Sequence, residues 1–407
     1  MARAGRPPLW CADRLDTRLR QGRLGPDHLR AVARELAAFH GWARSDDETA
    51  THGTPEAIAL RVRERCQALG NIRWAAIDPE RLASLRARQL ALVQARAERM
   101  KARIETGRVR AGHCALRLDR VFVDAASRVA WVGAESGIKI GTADVCADVA
   151  RLSRQLALHG RRDLAERWLA AYADAADDYE LYPLLDLYED LAASDFVEET
   201  TGGANDAGGR PGDTDAAELE RLLNAALAGG RAVVPPPRIV AVGGPTAAGK
   251  TTLADRIAAE MRAPVLAGDR ARDARDILRR AAAVLDSRRP VVIDGGFASR
   301  AARAALRELA AERGAPFFFV ECRAEPGLLR RRAQRLTGGA ACEARPSQLS
   351  ESAAFWEPVD ELPREVHLVV DTGRHPEGNA ALIRRALALE SISRTSPRAA
   401  TLSLAAS

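Results

Sequence analysis

The sequence predicts an α/β protein in two parts: a mainly helical first half, then a doubly wound parallel sheet of five strands. Three observations predict it. Apolar residues recur at helical spacing through the first 195 residues, and from Arg238 onward short apolar runs alternate with helices of ten or more residues. Between them, TTGGANDAGGRPGDTD at 200–215 is almost devoid of apolar side chains. At 407 residues the chain is long enough for two or three domains with real cores.

In the first half, Asp27 caps a helix to about residue 40 that carries Leu29, Val32, Leu36 and Phe39. Thr54-Pro55-Glu56 opens a second helix by the same cap-then-proline logic, and Asp78-Pro79-Glu80 a third that carries Leu82, Leu85, Leu92 and Ala95 and runs to about Arg103. The β-type runs at 121–123 and 129–132 predict a hairpin. Helices follow at about 143–157, 161–176 and 183–193. The Gly- and Asp-rich stretch at 200–216 reads as a flexible linker, because so few apolar side chains cannot offset the cost of ordering it. Its expected span is a little over ~20 Å.

A short helix at 216–228 and the stiff Pro235-Pro236-Pro237 lead into the second half. There the strands are expected at 239–242, 264–266, 291–293, 317–320 and 366–370, as the continuous apolar runs of a sheet covered on both faces. The domains are therefore read as 1–199, the linker 200–216, 217–390, and a Ser/Ala/Thr-rich disordered tail at 391–407.

Composition narrows the function. Aromatic residues make up only 4%, too few for a stacking platform on bases, and the 61 basic against 55 acidic residues are spread along the chain, so no nucleic-acid surface is expected. The six cysteines form no Cys-x-x-Cys pair and have no His at ligand spacing, which points to reduced, mostly buried thiols. There is no signal-like stretch and no run of about 18 apolar residues, so no membrane partner and a cytoplasmic location are expected. The basic residues are nearly all Arg. Lysine occurs only at Lys101, Lys139 and Lys250.

Lys250 belongs to Gly244-Pro245-Thr246-Ala247-Ala248-Gly249-Lys250-Thr251-Thr252, which contains G-x-x-x-x-G-K-[ST] directly after a strand and directly before a helical run. Glycines let backbone N–H groups close around phosphate, and the helix N-terminus adds a favourable dipole. Lys250 would reach the β/γ-phosphates of ATP, and the Thr251 hydroxyl would ligate Mg²⁺. Asp294 ends an apolar strand. It fits either a carboxylate that holds Mg²⁺ through water or a cap on the turn before Gly295-Gly296. Asp269 follows the second strand, where ligands enter parallel sheets; it fits either a base for a substrate hydroxyl or a cap on the next helix. Arg330, Arg331, Arg332 and Arg335 share one helix. Arg331 and Arg335, at i, i+4, fit either a phosphate clamp or a solvated face, and the loop at 337–346 reads as a movable lid.

Through GGPTAAGKTTLADRI, VVIDGGF, PFFFVECRAEPGLLRRRAQR, FWEPVDEL and VVDTG, residues 238–388 resemble the small P-loop kinase module, an AAA-type ATP-binding module of the gluconate-kinase-like and zeta-toxin-like kind. The resemblance implies sheet order 2-3-1-4-5, Lys250 and Thr251 serving ATP–Mg²⁺, Asp269 and Arg272 facing the acceptor, and Arg331 and Arg335 as lid arginines. Related modules carry Thr where this chain has Gly296.

In bacterial proteins of that architecture the module follows a domain similar to aminoglycoside phosphotransferases. Residues 13–195 resemble its C-terminal lobe, notably at 112–119 and at Asp144-Val145-Cys146-Ala147-Asp148-Val149-Ala150. The family's His-Gly-Asp-Leu-His-x-x-Asn falls on residues 113–120, with Ala115 in place of the base and Arg120 in place of a metal-ligating Asn. The family's metal-binding Asp falls on Val132, with Glu135 nearby, and a nucleotide-holding N-terminal lobe is not expected within these residues. That resemblance implies a degenerate, truncated and catalytically inactive domain.

The leading expectation is an ATP-binding P-loop phosphotransferase that acts on a small hydroxyl-bearing molecule. The alternative is an ATP-binding regulatory or scaffold protein without kinase turnover. A toxin-like kinase acting on a nucleotide-sugar rests on fold analogy alone. No protein partner is named by the sequence.

Overall fold

The computed structural model describes residues 13–72, 77–112, 116–131, 141–206, 236–268, 273–336, 356–374 and 376–387, with Glu220, Leu223, Asn224 and Leu227. The chain divides into two compact units, residues 1–232 and 233–407.

The first unit is mainly helical, as expected. After a two-residue strand β1 (Asp13–Arg14) and helix α1 (Leu15–Arg20), α2 spans Pro26–Trp42. Its N-cap is Gly25, not Asp27; Pro26 takes the first helical position and the His28 ring accepts the Gly25 N–H at 3.1 Å. Asp27 lies inside the first turn, where its charge still complements the helix dipole. The short α3 (Asp47–Ala50) precedes α4 (Pro55–Gly70), capped by the Thr54 hydroxyl, and α5 (Pro79–Ala95), capped by the Asp78 carboxylate. The third predicted helix breaks at Arg96 and resumes as α6 (Ala97–Glu105).

The hairpin forms from β3 (Val121–Val123) and β4 (Val129–Trp131), with Val121 opposite Trp131; β1 pairs with β3 to complete a small antiparallel sheet. A second ribbon pairs β2 (Val109–Gly112) with β5 (Gly141–Asp144) and was not foreseen. Helices α7 (Cys146–Leu158), α8 (Arg162–Ala176) and α9 (Leu185–Asp206) complete the unit, with α2 packed on α8 and α7 packed on both α8 and α9.

Helix α9 corrects the expected boundary, since it continues through 200–206 into the stretch read as linker. Once the buried segment Leu187, Leu191, Phe196 and Val197 has nucleated the helix, each further residue adds a hydrogen bond without a new nucleation cost. Residues 207–219 lie outside the described residues, as does the 391–407 tail. Glu220, Leu223, Asn224 and Leu227 are helical, in line with the expected helix at 216–228.

An ionic knot sits inside this unit. The Arg103 guanidinium is buried and donates to Asp144 Oδ2 and Oδ1 at 2.6 and 2.7 Å, and to Asp178 Oδ1 and Oδ2 at 2.7 and 2.9 Å. Beside it, buried His40 bridges the Tyr172 hydroxyl (2.7 Å) and Asp148 Oδ2 (3.2 Å).

In the second unit, β6 (Ile239–Gly243), β7 (Val265–Ala267), β8 (Val291–Asp294), β9 (Phe317–Arg323) and β10 (His367–Asp371) form a wholly parallel sheet, in the order β10-β9-β6-β8-β7. This is the expected 2-3-1-4-5 order read from the other edge. The central strand β6 is buried at every position, as a strand covered on both faces must be. Helices α10 (Lys250–Met261) and α14 (Pro376–Ala386) close over Val240, Val242, Val292, Val320 and Val370 through Ala254, Ile257, Met261 and Ile383. Helices α11 (Ala274–Asp286) and α12 (Arg300–Glu312) pack against β7–β8 and β6–β9, and α13 (Pro326–Leu336) follows β9. Cys66, Cys146 and Cys322 are buried free thiols, and no helix among the described residues is long and apolar enough to cross a membrane.

Candidate functional site

The site forms at the carboxyl ends of β6 and β8, where a parallel sheet opens to ligands. Strand β6 ends at Gly243, and residues 244–249 loop into the N-terminus of α10. Packing fixes the loop from beneath: Gly244 has φ +145°, and a Cβ on it would stand 2.5 Å from the Cys322 carbonyl oxygen. Gly249, at φ +83°, caps α10 in a left-handed conformation that glycine adopts without strain. Ala247, at φ +63°, takes a left-handed conformation that costs a non-glycine residue on the order of 1 kcal/mol, the kind of strain that clusters at ligand clamps. Gly244→Ala is therefore expected to destabilise the unit by roughly 1–3 kcal/mol and to weaken nucleotide binding, checked by thermal melting and titration.

Lys250 opens α10, and its ammonium donates to the Pro245 carbonyl at 2.9 Å, so the lysine curls back over the loop. Pro245 and Thr246 are half-buried, Ala248 is buried, and Thr252 lies at the exposed edge of the cavity described below. The next residue of α10, Thr251, donates its hydroxyl to Asp294 Oδ2 at 2.6 Å. Sheet register produces this contact: Val242 pairs with Asp294, and the Gly295 N–H donates to the Val242 carbonyl at 3.1 Å, which fixes the end of β8 beside the loop. A hydroxyl and a carboxylate in contact are hard oxygen donors of the kind Mg²⁺ takes alongside substrate phosphates. Among the described residues no cluster of three or more His, Cys, Asp or Glu offers a metal site of another kind. Beneath the loop, burial pushes the Cys322 thiol up to about 12, which leaves it a neutral packing residue.

A cavity of about 530 Å³ opens beside the loop, within the range of small-molecule sites. Its lining takes in residues 247 and 249–253, with Arg256, Arg332, Arg335, Thr372, Arg374 and Asn379. Thr372, just past β10, donates its hydroxyl to the Ala248 carbonyl at 2.7 Å and receives Arg332 Nη1 at 3.0 Å, while Arg332 Nη2 donates to the Thr372 carbonyl at 2.9 Å. Arg332 is thus tied to the phosphate-type loop through one threonine.

Of the arginine pair expected from sequence, Arg335 lines the cavity, while Arg331, exposed one turn before it on α13, is not among the lining residues and Arg332 is. Arg332 and Thr372 were missed. The available signal for Thr372 was its place in VVDTG, at the carboxyl end of the last strand. Asp269, Arg272 and the 337–346 loop lie outside the described residues.

Residues 239–357 match a family model described as an AAA domain. Among solved structures, a gluconokinase from Sinorhizobium meliloti is 23% identical over 40% of this chain and 98% of its own, with a TM-score of 0.31. The APS kinase CysC of Mycobacterium tuberculosis, solved with AMPPNP and APS, is 21% identical over 38% of this chain and 99% of its own, with a TM-score of 0.30. No curated protein matches the chain.

Proposed function

We propose that residues 217–390 are an ATP-dependent phosphotransferase that acts on a small hydroxyl-bearing molecule. The observation that carries this is the Thr251–Asp294 contact at 2.6 Å, beside a glycine-shaped loop that ends in Lys250. In this reading the backbone N–H groups of 244–252 and the Lys250 ammonium hold the β- and γ-phosphates, and Arg335, with Arg332, meets charge that develops on the transferring group. Mg²⁺, held by the Thr251 hydroxyl and through water by Asp294, supplies charge neutralisation when bound. Asp269 takes the proton of the acceptor hydroxyl. The acceptor oxygen bonds to the γ-phosphorus, and the bond to the β–γ bridging oxygen breaks, with ADP leaving on that electron pair.

Residues 1–199 are, in the same proposal, an inactive domain like the C-terminal lobe of aminoglycoside phosphotransferases. Ala115 cannot accept a proton and Arg120 cannot ligate a cation. The carboxylate within that stretch, Asp119, accepts from Arg117 Nε at 2.9 Å.

The deciding experiment follows labelled γ-phosphate from ATP–Mg²⁺ into a small-molecule pool with the intact chain and with Asp269→Asn. The expected result is a labelled small molecule, lost by about 10²–10⁴-fold in the variant while ATP binding persists. Equal transfer by both proteins removes Asp269 from the reaction. Tight ATP binding with nothing labelled by the intact chain replaces the kinase reading with a nucleotide-regulated binding protein.

A further inference from the structure

A second cavity, of about 320 Å³, lies wholly within the first unit, between α4, α7, α9 and β5, and has no part in the reading above. Its lining carries three guanidinium groups, Arg61 and Arg65 from α4 and Arg151 from α7, and the carboxylate of Asp195 on α9, together with His52, Thr142 and Tyr188. Asp195 is shared by two of the three. Arg65 Nε approaches its Oδ1 at 2.6 Å, and Arg151 Nη1 donates to its Oδ2 at 3.0 Å. Arg151 is also stacked over the Phe196 ring at 4.8 Å, so two guanidiniums are held in place before any ligand arrives. Arg61 differs. It is partly buried and lines the cavity, but it makes no hydrogen bond or ion pair with any described residue.

A partly buried guanidinium loses hydration that an anion restores, and Arg61, unlike Arg65 and Arg151, pairs with no carboxylate among the described residues. A phosphomonoester carries between one and two negative charges near neutral pH and three acceptor oxygens, which match the charge and the forked donors of that arginine. Leu191, Ala192 and Ala143 add apolar surface to the lining and suit the organic body of such a molecule rather than inorganic phosphate alone.

We propose that this cavity binds a small phosphomonoester, with Arg61 as the residue that pairs with its phosphate. The inference stands independently of the phosphotransferase reading, because no residue of residues 233–407 takes part in it.

The test titrates glycerol 3-phosphate and glucose 6-phosphate, with glycerol, glucose and gluconate as comparisons, into the full chain carrying Lys250→Ala, which weakens phosphate binding at the glycine-rich loop, and the binding assigned to this cavity is the part that depends on Arg61. The expected result is saturable binding of at least one phosphomonoester, absent for glycerol and glucose, and weakened at least about tenfold by a further Arg61→Gln change. Ligand-free melting of the Arg61→Gln protein should match its parent. If that protein does not fold, Arg61→Lys, which keeps the charge and loses the fork, should weaken binding severalfold with unchanged melting. No binding by either phosphomonoester, binding indifferent to Arg61, or gluconate binding as tightly with the same Arg61 dependence each overturns the proposal.

Discussion

Lys250→Ala should lower ATP-dependent phosphoryl transfer by about 10²–10³-fold, the usual effect of removing one preorganised charge from a transferring group. Loss in kcat should exceed loss in nucleotide affinity, because Arg256, Arg332, Arg335 and Arg374 still line the cavity and keep it positive. Lys250→Arg should rescue poorly. The lysine reaches the Pro245 carbonyl from the first position of a helix whose cap is a left-handed glycine, and a planar fork does not fit where a compact ammonium turns back over the loop. Lys101→Ala is the matched control: Lys101 is exposed and pairs with Glu98 at 2.8 Å, far in sequence from the loop, and transfer should be unchanged. Steady-state transfer of labelled γ-phosphate, with nucleotide titration alongside, separates the two effects. Equal loss from both lysine variants would mean that the label is not transferred at this loop.

The parts of this site that rest on local chemistry were legible in the sequence, and the parts that rest on helix phase and distant contacts were not. The five strands could be found because β6, β8 and β9 are buried nearly throughout, so selection for apolar side chains shows at every position instead of every second one. The phosphate-type loop could be found because its glycines and lysine are contiguous. Asp294 was visible as the carboxylate ending an apolar run, but its contact with Thr251 follows from strand register, Val242 against Asp294. Spacing placed Arg331 and Arg335 on one face of α13, but which arginines of that helix border the cavity depends on how the helix sits on the sheet, and the lining holds Arg332 with Arg335. Thr372 is separated from Arg332 by 40 residues and from Ala248 by 124, distances over which spacing carries no information. The ribbon of β2 and β5 escaped for a related reason: each strand has only four residues, and neither alternates.

Arg103→Met should destabilise the first unit by about 3–5 kcal/mol, because it strips the shared cation from two buried carboxylates, Asp144 and Asp178, instead of removing a whole ion cluster. The size follows from the asymmetry of buried pairs: their net worth is small, but an orphaned buried charge keeps its full desolvation cost. Arg103→Met with Asp144→Asn and Asp178→Asn should therefore recover much of the loss, which a purely steric account of Arg103 does not predict.

The pH dependence supplies a second and opposite signature. In the native chain burial alone would raise the Asp178 carboxyl, but the charge and hydrogen bonds of Arg103 more than offset it and hold the group below the usual carboxylate range. A carboxyl lowered on folding contributes stability that is present above its unfolded value near ~4 and is lost as pH falls through the folded value. In Arg103→Met the main opposing charge is gone, and burial, the largest influence on the group, outweighs Arg108 at 3.9 Å, so the folded value rises above the unfolded one and the contribution changes sign: stability falls as pH climbs from ~4 toward neutrality. Denaturant melts of the first unit, followed by hydrogen exchange at buried amides of α7 and α8 between pH 4 and 7, read both slopes in one experiment. Parallel pH profiles for the two proteins would show that Asp178 stays charged without Arg103, and the ionic account of this core would then be wrong.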